Sequence, residues 1–296
     1  MNYYQRIKKI FSGLERIDRT INDIVVRQCY NNLFLTNNKC GIEKKVYPEG
    51  EIIITLTSYG NKLPQVYLTI ESLLNQTIKP NRIILWLDMN RYSDRNNIPV
   101  SLQEQESRGL EIRLCEDVRS YTKLVHAIET FPESILISVD DDMLYPIDFV
   151  ERLYKAYQRN PKNVYFYRGH YMLFNPDGTP KSYNDWVSHG ARGCDIFNIP
   201  TGVSGILYPP KCYHEDILNK DLFLKLCPHA DDVWFKVMTY LKGTVCEKVE
   251  TFNYDKLFIP LDVDVRSSLQ QLNVVNGEND EQIRRVFNYY NISVKK

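Results

Sequence analysis

Ile135-Leu136-Ile137-Ser138-Val139 runs straight into Asp140-Asp141-Asp142. The first five residues are apolar or small and rich in β-branched side chains, the pattern of a short strand buried on both faces. The three carboxylates that end it are electrostatically expensive, because like charges a few ångströms apart disfavour one another's ionisation. Such a cluster needs a counter-charge. A divalent cation is the natural one, since hard oxygen ligands suit Mg²⁺ or Mn²⁺ and such an ion usually shares its shell with substrate phosphates. The plainer reading is an acidic turn capping a helix that starts near Pro146. Delivery of the cluster by a buried strand favours the metal.

Upstream, from Glu51, strands and helices alternate. Ile52–Thr57 is β-rich and ends in the turn Thr57-Ser58-Tyr59-Gly60. Val66, Ile70, Leu73 and Leu74 share one helical face. Residues 82–87 form a second buried strand that stops at Asp88, and a polar, loop-like stretch (90–101) precedes a third strand at 110–115. A helix over 121–130 presents Leu124, Val125 and Ile128, and the fourth strand follows it. This βαβα succession predicts an α/β fold with a mostly parallel sheet covered on both faces. Ligands of such sheets bind outside the carboxyl ends of the strands, where Thr57-Ser58-Tyr59, Asp88 and the three aspartates stand.

Downstream the order is less regular. A helix over 148–158 leads to a strand at 163–167 and then a long aromatic, polar section through Trp186 and His189. Pro200-Thr201-Gly202-Val203-Ser204-Gly205 precedes a strand at 206–208. Pro228-His229-Ala230-Asp231-Asp232 opens a helix with Val233, Trp234, Val237, Met238 and Leu241 apolar and Gly243 as its stop. Asn279-Asp280-Glu281-Gln282 reads as another helix start.

At the other end, Ile7, Ile10, Leu14, Ile17, Ile21 and Ile24 are spaced alternately three and four apart, a heptad seam on a helix over residues 1–30. The other faces carry Arg6, Lys8, Lys9, Arg16, Arg19 and Arg27 against Glu15, Asp18 and Asp23. Three uses are open: packing on the main domain, self-association as a homodimer, and peripheral adhesion to an anionic membrane. Residues 31–50 read as a linker.

Composition narrows the function classes. Lys and Arg number 37, as do Asp and Glu, so nothing electrostatic points to a nucleic-acid partner. Seven scattered cysteines without a C-x-x-C pair suit the reduced thiols of a cytoplasmic protein. Apolar runs are strand length, far short of the roughly 20 residues that span a bilayer. The expectation is a cytoplasmic protein whose membrane attachment, if any, is peripheral and at the inner face.

The motifs together resemble GT-A fold glycosyltransferases, in the family-2-like, bacterial polysaccharide manner. Asp140-Asp141-Asp142 resembles their D-x-D signature, Ser72-Leu73-Leu74-Asn75-Gln76-Thr77 their S-L-x-x-Q-T wording, and Asp231-Asp232-Val233 the later acidic motif of inverting members. The resemblance covers roughly residues 51–250, with the motifs in the family's order. It implies a Rossmann-like nucleotide-binding sheet merged with an acceptor-side subdomain. Three parts follow: an N-terminal helix and linker (1–50), a catalytic domain (51–250) and a closing, acceptor-side segment (251–296).

The same resemblance implies residue roles. Asp140 and Asp141 would face the donor and Asp142, with Asp140, the Mn²⁺ or Mg²⁺ ion; His229 would complete the metal shell. Thr57, Tyr59 and Asp88 would hold base and ribose, with Asp88 accepting from a uracil N–H of a UDP-sugar. Lys123, on a shared helix face with Arg119, would contact the donor, and Gly202 and Gly205 would let backbone approach its sugar. Asp232 would be the general base that deprotonates a hydroxyl of a glycan or glycolipid acceptor, with Asp231 as helix N-cap. Trp186, His189 and Trp234 are candidates for stacking on a sugar, Trp234 with a core role beside it.

Three rival classes of protein share parts of this pattern. A nucleotidyltransferase wants a Gly-rich phosphate loop after the first strand, and Ser58-Tyr59-Gly60-Asn61-Lys62 has one glycine. A dehalogenase-type phosphatase wants D-x-D-x-T, whereas Leu144 stands at the Thr position. A non-catalytic nucleotide-sugar binder has no use for two intact acidic motifs.

Overall fold

The structure, a computed structural model, describes residues 3–249, 257–261 and 277–294, with the backbone alone for 3–12, 14, 16 and 188. Strands β1 (Ile52–Thr57), β2 (Arg82–Asp88), β3 (Leu110–Cys115) and β4 (Ile135–Ser138) run parallel in the order β3-β2-β1-β4. Then come β5 (Met143–Leu144), β6 (Val164–Phe166), β7 (Gly169–Tyr171), β8 (Cys194–Asp195), β9 (Asn198–Pro200), β10 (Ile206–Tyr208), β11 (Cys246–Lys248) and β12 (Ile259–Pro260). The main sheet has eight strands and continues from β4 as β10-β6-β11-β8. In that second half β10 is antiparallel to both β4 and β6, and β11 is parallel to β6. β12 pairs β5 and β7 pairs β9 in two small ribbons. The fold is α/β and Rossmann-like, as the alternating pattern predicts.

The helices are α1 (Tyr3–Thr36), α2 (Val66–Leu74), α3 (Met89–Tyr92), α4 (Val100–Glu106), α5 (Thr122–Thr130), α6 (Phe149–Arg159), α7 (Tyr183–His189), α8 (Lys220–Leu226), α9 (Asp231–Leu241) and α10 (Glu278–Tyr289). Successive strand residues point to opposite faces. Ile52, Ile54 and Leu56 belong to the core cluster that includes α2, α4 and α6, while Ile53 belongs to the one on the other face, with α5, α8, α9 and α10. Burial on both faces is why the strands read as unbroken apolar runs. Val66, Ile70 and Leu73 of α2 are fully buried, each worth about 1.5–3 kcal/mol relative to exposure. From β1 the chain leaves along α2 on one face; into β4 it arrives along α5 from the other. The carboxyl ends of β1 and β4 are therefore the switch point of the sheet, where such folds bind ligands.

Two expectations are corrected. The helix predicted over 1–30 continues to Thr36, so the first residues read as linker are helical. They are a contact face: Tyr67 donates to Asn31 Oδ1 (3.0 Å) and the Phe34 and Tyr67 rings lie 4.9 Å apart. α4 went unread because only Leu102 and Gln105 of its seven residues are buried, which leaves no apolar period.

The helix divides by position, and its packed residues lie outside the seam. Val26 and Tyr30, with Leu68, pack on Leu144, Ile259 and Leu261, and Arg27 donates to Pro260 O at 2.6 Å. Ile17, Ile21 and Ile24 are more than half exposed, so no other described residue covers them. No described helix is long and apolar enough to cross a membrane. Residues 251–256, 262–276, 295 and 296 of the expected closing segment lie outside the described residues; α10 packs on α8 and α9.

Helix α2 fastens the segment that carries the aspartates. Thr69 donates to Asp141 O (2.9 Å), and Ser72 Oγ accepts from Tyr145 N–H (3.1 Å). Gln76 Nε2 donates to Pro146 O (2.8 Å) while its Oε1 accepts from Val150 N–H (3.0 Å), in the first turn of α6. Thr77 N–H donates to Ile147 O. Tyr145, fully buried, returns its hydroxyl to the cluster by accepting from Asp140 N–H at 2.8 Å. The polar letters of Ser72 to Thr77 thus act as a clamp on residues 140–150.

Candidate active site

Two lysines meet the three aspartates. Lys123, in the first turn of α5, places Nζ 3.1 Å from Asp140 Oδ1 and 2.9 Å from Asp231 Oδ2. Its position is set from β1, where the buried Thr55 donates to Lys123 O at 2.6 Å and accepts from Trp86 Nε1. Burial pulls the Lys123 ammonium down, and the charges of Asp140, Asp231 and Asp232 outweigh it, holding the group well above the ordinary lysine value. Lys62, on the turn after β1, lies 3.3 Å from Asp141 Oδ1 and 2.9 Å from Asp142 Oδ2. Burial pushes the Asp141 carboxyl up, against the pull of Lys62 and the Ser58 hydroxyl.

The loop ahead of β10 closes the other side. Gly202 N–H donates to Asp232 Oδ2 at 3.2 Å. A Cβ on Gly202 would stand 2.8 Å from Lys123 Nζ, 3.3 Å from Asp140 Oδ1 and 3.4 Å from Asp232 Oδ1. The missing side chain is what leaves room where both acidic motifs and the lysine converge. Gly202→Ala is therefore expected to lower turnover by about 10²-fold through misplacement of these groups. Overpacking should also cost about 1–3 kcal/mol of stability, read by thermal melting. Gly205 serves packing: it has φ +79, and a Cβ there would meet Phe149 Cζ at 2.5 Å.

Asp231 and Asp232 are the first two residues of α9, and the N-cap is Ala230, which offers no side-chain cap. The expectation that Asp231 caps the helix is corrected: its carboxylate turns inward to Lys123 instead. The helix N-terminus still favours both charges. Asp232 Oδ1 is buried and has no hydrogen-bond partner. Burial first, then Asp231, pushes the Asp232 carboxyl up to about 7, against the pull of Lys123.

The other predicted residues are placed as follows. Asp88 ends β2 and caps α3, accepting from Asn90 N–H at 2.9 Å, with Arg91 Nε 3.6 Å from its second oxygen. Thr57 donates to Trp86 O (2.9 Å), and Tyr59 beside it is 56% exposed, an open ring at the sheet edge. Arg119 does not share a helix face with Lys123, because α5 begins at Thr122; it adopts φ +64 and reaches Pro228 O. His229 lies by Arg119, its Nδ1 3.5 Å from Nη1, while its backbone N–H donates to Gln282 of α10. Among the described residues no group of three or more His, Cys, Asp or Glu side chains converges as a metal set. Trp186 and Trp234 are both fully buried, donating to Leu173 O and Ile217 O, and are core residues with no face to offer a sugar.

Sequence reading missed a rim around Asp232. Tyr183, in the first turn of α7, has its phenol pushed up by burial and by Asp232, with Arg168 opposing. His170 packs edge-on to that ring at 5.6 Å, and burial together with Arg168 pushes it down to about 4, so it is neutral at physiological pH. Asp280 of α10 accepts from Tyr183 N–H at 2.6 Å, which ties the C-terminal helix to this rim. None of these carries a local pattern. Lys62 is the other omission, and its one signal is its place in the turn directly after β1.

The donor atoms present suit a hard divalent ion in part. Asp140 and Asp142 are each more than a quarter exposed and supply carboxylate oxygens at the functional edge. Asp141 Oδ2, buried behind them, has no hydrogen-bond partner. Two carboxylates with the shell completed by phosphate and water is the arrangement Mg²⁺ and Mn²⁺ favour.

No protein-family model and no curated protein matches the sequence. Among solved structures, the chain is similar to a CMP:2-keto-3-deoxy-manno-octonic acid synthetase complexed with CTP, at 12% identity over 78% of this chain and 100% of that one, TM-score 0.44. It is also similar to the mannosyltransferase PcManGT from Pyrobaculum calidifontis in complex with GDP-Man and Mn²⁺, at 9% identity over 93% of this chain and 74% of that one, TM-score 0.48.

Proposed function

We propose that this chain is a metal-dependent, inverting glycosyltransferase that moves a sugar from a nucleoside-diphosphate sugar to a hydroxyl of a glycan or glycolipid. The observation that carries the reading is the unpartnered Asp232 Oδ1, turned toward the space Gly202 leaves open beside Asp140. A carboxylate with a free oxygen beside the donor-side aspartates is placed to take a proton from an attacking alcohol. Lys123 holds Asp140 and Asp231 in one charge network, so the donor and acceptor sides share a single electrostatic centre. Thr57, Tyr59 and Asp88 line the nucleotide edge, with uracil read at Asp88. A divalent ion on Asp142 and Asp140 would supply Lewis-acid neutralisation of the departing diphosphate. Tyr183 and His170 border the acceptor side, and His170, neutral, adds no charge there.

The test is slow donor hydrolysis. With Mn²⁺ and a panel of UDP-, GDP- and CMP-sugars, the protein should release sugar from the UDP series and stop in EDTA. Asp142→Ala should abolish metal-dependent UDP binding while melting stays cooperative. Unchanged UDP affinity in EDTA removes the metal. Release of nucleoside monophosphate and sugar 1-phosphate from the diphosphate sugars, in place of free sugar and nucleoside diphosphate, would turn the reading to nucleotidyl transfer.

A further inference from the structure

The two lysines divide the acidic cluster unequally. Lys123 is nearly buried, its side chain 10% exposed, and is enclosed by Gly202 and α9 between Asp140 and Asp231. Lys62 sits at the rim with its side chain 27% exposed, on the short 3-10 turn Gly60–Gln65, and spans Asp141 and Asp142. Asp142 Oδ2, the oxygen Lys62 holds at 2.9 Å, is an oxygen that a metal at Asp142 would use. Two cations within a few ångströms repel strongly even in a partly solvated site, so ammonium and metal exclude each other there. An ammonium on a four-carbon stem can swing, and a diphosphate arriving with the metal offers it a new anionic partner.

We propose that Lys62 is the resident counter-cation of the aspartate cluster, displaced from Asp142 by the donor's metal and passed to the donor's diphosphate. The inference rests on the reading of Asp142 as a metal ligand. Its consequence is that metal alone binds weakly and that metal and nucleotide bind together. Lys62 is a positioning residue in this scheme: it suppresses unproductive metal binding and couples the ion to the substrate.

The experiment titrates Mn²⁺ into the full chain, following free Mn²⁺ by electron paramagnetic resonance, with and without UDP. Wild type, Lys62→Met and Lys62→Gln are compared, the glutamine variant keeping a hydrogen-bond donor for Asp141 should methionine fail to fold. Without UDP, both variants should bind Mn²⁺ at least about tenfold more tightly than wild type. UDP should raise the Mn²⁺ affinity of the wild type by a similar factor and that of the variants by much less. Folded variants whose Mn²⁺ affinity without UDP equals or falls below the wild-type value overturn the inference. So does a UDP effect that keeps its wild-type size. Donor hydrolysis by the wild type is measured alongside. Hydrolysis without the gain in Mn²⁺ affinity overturns the role of Lys62 alone. The gain without hydrolysis of any sugar nucleotide overturns the function and leaves Lys62 as the cluster's displaceable cation.

Discussion

Asp232→Asn should lower kcat by about 10²- to 10⁴-fold and at the same time make the protein more stable above pH 7. The amide keeps the size of the side chain and can still accept from Gly202 N–H, but it cannot take a proton. Donor affinity should change little, because the lost interaction belongs to the transition state. The stability effect follows from linkage. Asp232 is raised to about 7 in the folded chain, above its ordinary value of 3.8. Between those pH values the folded protein keeps a proton that the unfolded chain has released. That contribution is full below pH 4 and is lost as pH rises through 7. Asparagine stays neutral throughout, so the variant should gain on the order of 1–3 kcal/mol over wild type at pH 8, less at pH 5 and little below pH 4. In the wild type, kcat should climb with pH through the same window. Full activity in the variant, or a product that retains the donor's anomeric configuration by NMR, would remove the general base.

Lys123→Met should be the most damaging single change to the fold of the site. It strips Asp140 and Asp231 of a buried partner at 3.1 and 2.9 Å and leaves Asp232 without its balancing charge. Removing one side of a buried charge network costs about 3–5 kcal/mol. In a chain of this size that lowers the melting temperature on the order of 10 °C at pH 8. The loss should shrink toward pH 5, as the orphaned carboxyls take up protons. Activity should vanish at both pH values. An unchanged melting temperature at pH 8 would mean the aspartates are already solvated and the network is weak.

What was legible in the sequence followed local periodicity. The strands Ile52–Thr57 and Ile206–Tyr208, the helix Asp231–Leu241 and the stop at Gly243, with φ +77, all fall where their patterns put them. Asp140, Gly202, Asp231 and Asp232 do meet, and Lys123 joins them. Tertiary pairing was not legible. Nothing in Ile206-Leu207-Tyr208 tells that the strand inserts antiparallel between β4 and β6. The clamp of Ser72 and Gln76 depends on partners about 70 residues away, and so does Lys62, which reaches Asp142 across 80 residues. Two adjacent acids at a helix start look like a cap, and only the tertiary placement of Lys123 turns Asp231 inward.

The clamp of α2 on residues 140–150 also separates the molecule by adaptability. Hydrogen bonds from Thr69, Ser72, Gln76 and Thr77, with Tyr145 closing the circuit onto Asp140, make that helix and the aspartate segment one rigid body. A side formed in this way cannot mould itself to a ligand and accepts only what already fits. The opposite rim is held by short elements, β7, α7 and the 3-10 turn at Gly202–Ser204, and by the distant carboxylate of Asp280. Substitutions in β7 or α7 fall outside the clamped segment, whereas Gly202 borders Lys123 and Asp140 directly. On the proposed function, a lineage exchanges one acceptor for another by editing β7 and α7 and inherits the clamped side unaltered.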